Sequence, residues 1–298
     1  MEEMKRNMCI SDILSRAFNL CKDNFVEIIK VIGVFFLPGI IMQIIINKVV
    51  LSDFSNSLTS FLITQDEYYI EEAISNLSGE SIIILGLVYL FITILQLFGY
   101  LVIMKMLDSA NKSEEVSWVS AIKYVFSKLL RIIGLNILVN IMLIITIIVI
   151  TILSIIITIV TFFIGLIAII PLWIILGIIL MPITYLFTST LIVGDFGVMD
   201  SIKETFRLFR RGYFWSTIGK LITISCIYIG VAVAVSIISM IPIIGYIVSN
   251  IGVHVILIYF LAYLNIFVLD RIKPDIYNFG EDNIDNNNSG ENFIDPII

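Results

Sequence analysis

The chain has 298 residues, of which 59% are apolar and only 14% are charged, with a net charge of −6 at neutral pH. Ordinary soluble domains carry about 25% charged residues, and a single globular core cannot hide so many apolar side chains from water. The composition therefore excludes an ordinary soluble domain and favours a protein that lies in a lipid bilayer.

Long charge-free stretches predict where the chain crosses the membrane. A helix needs about 20 apolar residues to cross the ~30 Å hydrocarbon core. Charge-free stretches cover residues 82–104, 132–194 and 221–269, and the last two are long enough for two crossings each. The first span is short and contains Pro38. The six predicted spans are residues 26–46, 82–104, 132–160, 167–193, 217–240 and 243–269, with turns near Thr161 to Gly165 and at Ile241, Pro242 and Gly245.

Three stretches that precede outward-going spans have the pattern of amphipathic helices. They cover residues 10–25, 116–130 and 198–213, and each carries apolar residues at the spacing i, i+3, i+4, i+7. At offsets of 108 and 188 residues, Phe18 aligns with Phe126 and Phe206. The sequence thus predicts an all-α polytopic bundle of three parallel repeats, each with an amphipathic helix and two spans. The alternative is that these are ordinary linkers of a multi-span protein without internal repetition.

The distribution of Lys and Arg predicts the orientation. All of the 18 basic residues except Lys48 fall on the side that holds both termini, and this bias marks the cytoplasmic face. The connection 47–81 then faces outward; its acids are more typical of a solvated loop than of a cation site. The Asn-rich acidic tail, residues 276–298, is predicted to be disordered.

The third amphipathic helix is the strongest candidate for binding anionic lipid. Lys- and Arg-rich amphipathic helices lie in the headgroup plane, where anionic lipid attracts each cation by about 1 kcal/mol. The predicted contacts are Lys203, Arg207, Arg210, Arg211 and Lys220. The alternative is that the apolar stripes pack on the cytoplasmic ends of the spans, and both arrangements can hold at once.

Few residues suggest chemistry within the membrane. The polar residues of the spans are Gln43, Gln96, Asn136, Asn140, His254 and Asn265. They could line a pathway, but such side chains more often hydrogen-bond between helices, and a single histidine is more often a neutral packed group than a proton relay. Three cysteines without CxxC spacing indicate neither a disulfide framework nor a zinc site, and we expect no cofactor.

Three stretches carry a family resemblance. "ISDILSRAFNLCKDNFVEIIKVIGVFFLP", "GVMDSIKETFRLFRRGYFWSTIGKLI" and the closing "YLNIFVLDRIKP" together resemble the glycerophosphoryl diester phosphodiesterase membrane-domain family over residues 10–275. The resemblance implies a helical membrane fold. It implies no catalysis, because the barrel-shaped phosphodiesterase domain of some members has no counterpart in this chain.

Three functional hypotheses follow from the sequence. The first is a non-enzymatic bacterial cell-membrane protein that binds anionic lipid or other membrane proteins and organises or regulates a membrane process, including resistance to a membrane-active peptide. The second is a transporter component that would work with a separate ATPase. The third is an enzyme of lipid metabolism that would use Asp195 and Asp200 with Asn111. Nucleic acid is not an expected partner.

Overall fold

A computed structural model describes residues 8–49, 51–76, 79–161, 166–210, 213–238 and 244–272, and within these ranges the secondary structure is helical, without a strand. In chain order the helices are α1 (Ile10–Asp23), α2 (Phe25–Val31), α3 (Leu37–Val49), α4 (Leu51–Thr64), α5 (Glu67–Asn76), α6 (Gly79–Asn111), α7 (Trp118–Ser127), α8 (Leu129–Val160), α9 (Leu166–Gly194), α10 (Val198–Arg207), α11 (Phe214–Ile238) and α12 (Ile244–Ile272). The predicted turn residues 162–165 and 241–242, Arg211 and the tail 276–298 lie outside the described residues.

Six helical stretches in the described residues are long and apolar enough to cross a membrane, which suggests a membrane location. They are Phe25–Ile46, Ile82–Asn111, Leu129–Val160, Ile169–Gly194, Phe214–Ile238 and Val248–Ile272. The second extends seven residues beyond its predicted end at residue 104. Leaving an apolar environment does not end a helix, and α6 continues until Ser113 takes a left-handed conformation, with φ 57°.

The first candidate span is not a regular helix. A π-helical turn, Ile32–Phe36, joins α2 to α3 and ends two residues before Pro38. Proline has no N–H and its ring crowds the carbonyl four residues earlier, so the helix widens there instead of keeping its regular hydrogen bonds. The turn directs Phe36 into the protein, where it is fully buried and its ring lies 4.7 Å from that of Tyr100 on α6.

The prediction of a loop for residues 47–81 is wrong in the described part, because α4 and α5 pack against each other there. The Ser57 hydroxyl donates a hydrogen bond to Glu72 at 3.2 Å and joins the two helices. Gln65, at φ 56°, turns the chain between them, and the Asp66 carboxylate accepts the Tyr68 N–H at 3.1 Å. The acidic composition obscured apolar residues at helical spacing, Phe54, Leu58 and Phe61.

The chain divides into two compact units. One comprises residues 24–106 and 116–126, and the other comprises residues 1–23, 107–115 and 127–298. In the second unit α12 packs against α1, α9 and α11. In the most apolar part of α12, 72% of the residues are buried inside the protein, whereas in the corresponding part of α8 only 6% are buried. The sixth candidate span is therefore the centre of its unit.

The close approach of α6 to the π-helical turn gives a test of the fold. A Cβ atom on Gly99 would lie 2.5 Å from the Phe36 ring and 2.8 Å from the Phe35 Cβ, whereas a Cβ on Gly86 of the same helix would meet nothing within 4 Å. We expect Gly99→Ala to destabilise the protein by about 1–3 kcal/mol through overpacking. Gly86→Ala should be neutral or slightly stabilising. Size-exclusion chromatography of heated, detergent-solubilised protein compares them, and equal melting temperatures would contradict this packing.

Candidate functional site

The three short helices α1, α7 and α10 each lie against a candidate span. In the larger unit α1 packs on α12, and α10 packs on α9 and α8. In the smaller unit α7 faces α6: the Phe126 ring lies 5.4 Å from Phe98, and the Lys105 ammonium lies 4.8 Å from the Tyr124 ring. Each of these helices thus rests on a long apolar helix through part of its surface.

The same aligned positions are buried in all three helices. The buried pairs are Ile13 and Ala17 in α1, Ala121 and Val125 in α7, and Ser201 and Thr205 in α10. These pairs are related by the offsets of 108 and 188 residues that align the sequence. The aligned phenylalanines are exposed in every case: Phe18 by 61%, Phe126 by 60% and Phe206 by 53%. The packing edge and the exposed aromatic therefore have one register in the three helices.

The surface of α10 carries its charges beside this exposed apolar edge. At 100° per residue, Met199 and Phe206 lie between the buried edge of the helix and the side that carries Lys203. Arg210 follows three residues after the end of the helix. Met199 is 63% exposed, and both cations are exposed as well. Arg207 forms an ion pair with Glu204 at 2.7 Å. We call the exposed side chains of Met199, Lys203, Phe206 and Arg210 the α10 surface.

Lys220 does not belong to this surface, contrary to the expectation from the sequence. It lies six residues into α11 and is only 4% exposed. Its ammonium lies 5.7 Å from the centre of the Phe267 ring of α12 and has no hydrogen-bond partner in the described part of the chain. The charge pattern along a helix does not reveal which side of the helix packs against a neighbour. The sequence therefore could not show that Lys220 is buried.

Arg271 lies beside Lys220 near the end of α12. Its guanidinium is 5.8 Å from the same Phe267 ring and 4.5 Å from the Tyr213 ring, and it donates a hydrogen bond to the Ser216 hydroxyl at 3.2 Å. A cation–π contact contributes about 0.5–2 kcal/mol. Removing an ammonium from water costs several kcal/mol, so the aromatic contact of Lys220 does not offset its burial.

At the ends of two other spans, α6 and α9, a carboxylate forms an ion pair with a lysine. The sequence analysis did not predict these ion pairs. Lys112 forms an ion pair with the buried Asp108 at 2.7 Å and also donates to the Val193 carbonyl at 3.1 Å, which ties the end of α6 to the end of α9. Lys128 forms an ion pair with Asp195, just after α9, at 2.9 Å. The sequence did contain a signal for these ion pairs, because an aspartate follows each returning span: Asp108, Asp195 and Asp270.

The polar residues predicted within the spans do not form one cluster in the larger unit. The Asn136 and Asn140 amides donate to carbonyls of their own helix, at 2.9 and 2.7 Å. His254 and Asn265 are buried in α12, about 16 Å apart along the helix. In the smaller unit Gln43 and Gln96 are half-buried. A cavity of about 340 Å³ between α8 and α9 is lined by Trp173, Thr184 and aliphatic side chains, and by none of these residues.

The residues suggested for lipid chemistry are engaged differently. Asp195 is paired with Lys128, Asp200 is exposed on α10, and the Asn111 amide is buried. Within the described residues no group of three or more His, Cys, Asp or Glu side chains has the arrangement of a metal site. Comparison with protein-family models, curated proteins and solved structures gives no match for this sequence. The family resemblance described above therefore stays a prediction.

The ion pair between Lys112 and Asp108 gives a test of the span ends. Lys112→Met removes the ammonium that pairs with the fully buried Asp108 carboxylate, and we expect a loss of about 3–5 kcal/mol. The matched control is Arg207→Gln, which removes an ion pair whose Arg side chain is 66% exposed and should cost less than about 1 kcal/mol. Thermal unfolding in detergent measures both variants. A Lys112→Met protein as stable as the control would show that the ion pair does not fasten the two helix ends.

Proposed function

We propose that the chain is a non-enzymatic integral protein of a bacterial cell membrane, and that α1, α7 and α10 contact anionic lipid headgroups on the cytoplasmic side. Through such contacts it would organise or regulate a membrane process, for example resistance to a membrane-active peptide, with other membrane proteins as further partners. The observation that carries the proposal is the α10 surface, where exposed apolar side chains lie next to unburied cations.

The packing of these helices supports lipid contact over complete burial against the spans. Small side chains on the packing edge, such as Ser201 and Thr205, bring α10 close to α8 and α9. The phenylalanines remain more than half exposed, and in water such exposure would be unfavourable. Trp215, 81% exposed at the start of α11, adds an aromatic side chain of the kind that favours the membrane interface. The three helices bury the same aligned positions and expose the same aligned phenylalanine, and this supports a proposal of three parallel repeats.

Lipid contact of the α10 surface can be tested by a site-specific fluorescent probe. In a chain whose three native cysteines are replaced, Phe206→Cys and Asp200→Cys place the probe on different sides of one helix, both exposed. In reconstituted vesicles we expect a spin-labelled lipid to quench the probe at 206 more strongly than the probe at 200. Lys203→Gln should weaken the dependence on anionic lipid about fivefold, since one headgroup-level cation contributes about 1 kcal/mol. Equal quenching at both positions would exclude the proposed lipid contact.

The orientation can be tested through Cys9. Its thiol is exposed, and hydrogen bonds from Ser11 lower its pKa, which increases the reactive thiolate at neutral pH. Burial raises the pKa of Cys21 to about 12, so this thiol should stay unreactive. We expect a membrane-impermeant maleimide to label Cys9 only after cells are permeabilised.

A second labelling position on the opposite side supplies the control. Leu62→Cys in a Cys9→Ser background places a thiol at a 69% exposed position of α4. It should react in intact cells, because the connection between the first two spans faces outward in the proposed topology. Labelling of Cys9 without permeabilisation, or protection of position 62, would invert the orientation.

A further inference from the structure

Two cations lie together beside one aromatic ring where α11 begins and α12 ends. Lys220 and Arg271 approach the Phe267 ring at 5.7 and 5.8 Å from its centre. Phe267 is fully buried and Lys220 almost so. The two cations are within electrostatic reach of each other. Like charges repel more strongly in a protein interior than in water, so this arrangement is unfavourable without a compensating negative charge.

The neighbouring carboxylate, Asp270, supplies only part of that compensation. Asp270 is within electrostatic reach of Lys220 and Arg271, and also of Arg16 on α1, while its carboxylate accepts a hydrogen bond from the Met8 backbone N–H. Its second oxygen has no hydrogen-bond partner in the described structure, and the Lys220 ammonium has none either. Among the described residues, three cations and one carboxylate therefore give this region a net positive charge.

Donor groups in the region remain available as well. Lys220 offers three N–H donors, and the Arg271 Nε is buried without a partner among the described residues. The Lys220 side chain is directed toward the amino-terminal end of α11, as helical side chains generally are, and this end is level with Arg271. Arg271 is half-buried, so an anion that arrives at this end meets the guanidinium first and the ammonium behind it.

We propose that Lys220 and Arg271 form a binding site for a phosphate group, with Phe267 as its wall. The two sources of this chemistry are the phosphodiester of an anionic lipid headgroup and free inorganic phosphate. This site is distinct from the α10 surface, which is exposed and binds by charge and apolar insertion. Its placement at a headgroup level rests on the proposed membrane function, but its affinity for phosphate does not.

Thermal unfolding of the full-length protein in a neutral detergent tests the site. The additions are dioleoylphosphatidylglycerol, dioleoylphosphatidylcholine, and inorganic phosphate against chloride at equal ionic strength. We expect wild-type protein to gain several degrees with phosphatidylglycerol, because a ligand that binds only the folded state stabilises it. A gain with inorganic phosphate as well identifies free phosphate as sufficient, and a gain with phosphatidylglycerol alone identifies the lipid.

Variants separate this site from the rest of the molecule. Lys220→Met should raise the melting temperature without additions, since it removes an unpartnered buried charge, and it should lose the gain with phosphate-bearing ligands. Lys220→Arg should keep most of that gain, and Arg271→Gln should lose at least half of it. Lys203→Gln, on the α10 surface, should keep any gain that wild type shows with inorganic phosphate, and should lose only the part of the phosphatidylglycerol gain that this surface contributes.

Two results would overturn the proposal. One is a wild-type protein that gains no stability from phosphatidylglycerol or from inorganic phosphate. The other is a gain of equal size in wild type and in Lys220→Met or Arg271→Gln, which would place any bound phosphate elsewhere. If Lys220→Met does not fold, the gains in melting temperature of Lys220→Arg and Arg271→Gln are compared instead. Equal gains in these two variants would overturn the proposal.

Discussion

The enclosure of α12 by α1, α9 and α11 is the interaction on which the larger unit depends. An apolar helix in lipid needs no protein around it, so burial of this one reflects specific packing and not avoidance of water. The aromatic contacts are consistent with this: the Phe260 ring lies 5.6 Å from Tyr185 and 5.7 Å from Tyr228, on two different helices. Because α12 is enclosed, its polar residues face other helices, and at its end Arg271 and Lys220 of α11 approach the same buried Phe267 ring.

The packing of α1 on α12 also links the first segment of the chain to the last span. The Tyr259 hydroxyl donates to the Leu14 carbonyl at 3.1 Å, and the fully buried Ile13 and Ala17 lie along the same edge. In α10 the corresponding edge carries Ser201 and Thr205, whose hydroxyls bond to carbonyls of the preceding turn, at 2.8 Å in each case. Small or compact side chains thus allow a short helix to approach a span while its bulky apolar residues stay outside.

Much of the fold could be predicted from the sequence because span length and helical periodicity leave direct marks on composition. The exceptions have physical causes. The hairpin of α4 and α5 was missed because the acidic and other polar residues of that stretch suggested a solvated loop, although apolar residues recur in it at helical spacing. The contact of Lys112 with Val193 joins residues 81 positions apart, and no local pattern encodes such a partner. At the candidate site, the cations of α10 were predictable, but the burial of Lys220 was not, because it depends on how α11 faces α12.

The contrast between Lys203 and Lys220 shows why a count of basic residues does not define a lipid-binding surface. Lys203 is exposed and keeps its hydration, so it contributes long-range attraction at little cost and is weakened by salt. Lys220 has lost most of its hydration, and its ammonium stays charged only at a cost that neighbouring groups must offset. The first is suited to a diffuse headgroup layer, whereas the second is suited to one anion held at a fixed position. A chain that carries both can therefore combine weak contact with many lipids and selective retention of a single phosphate.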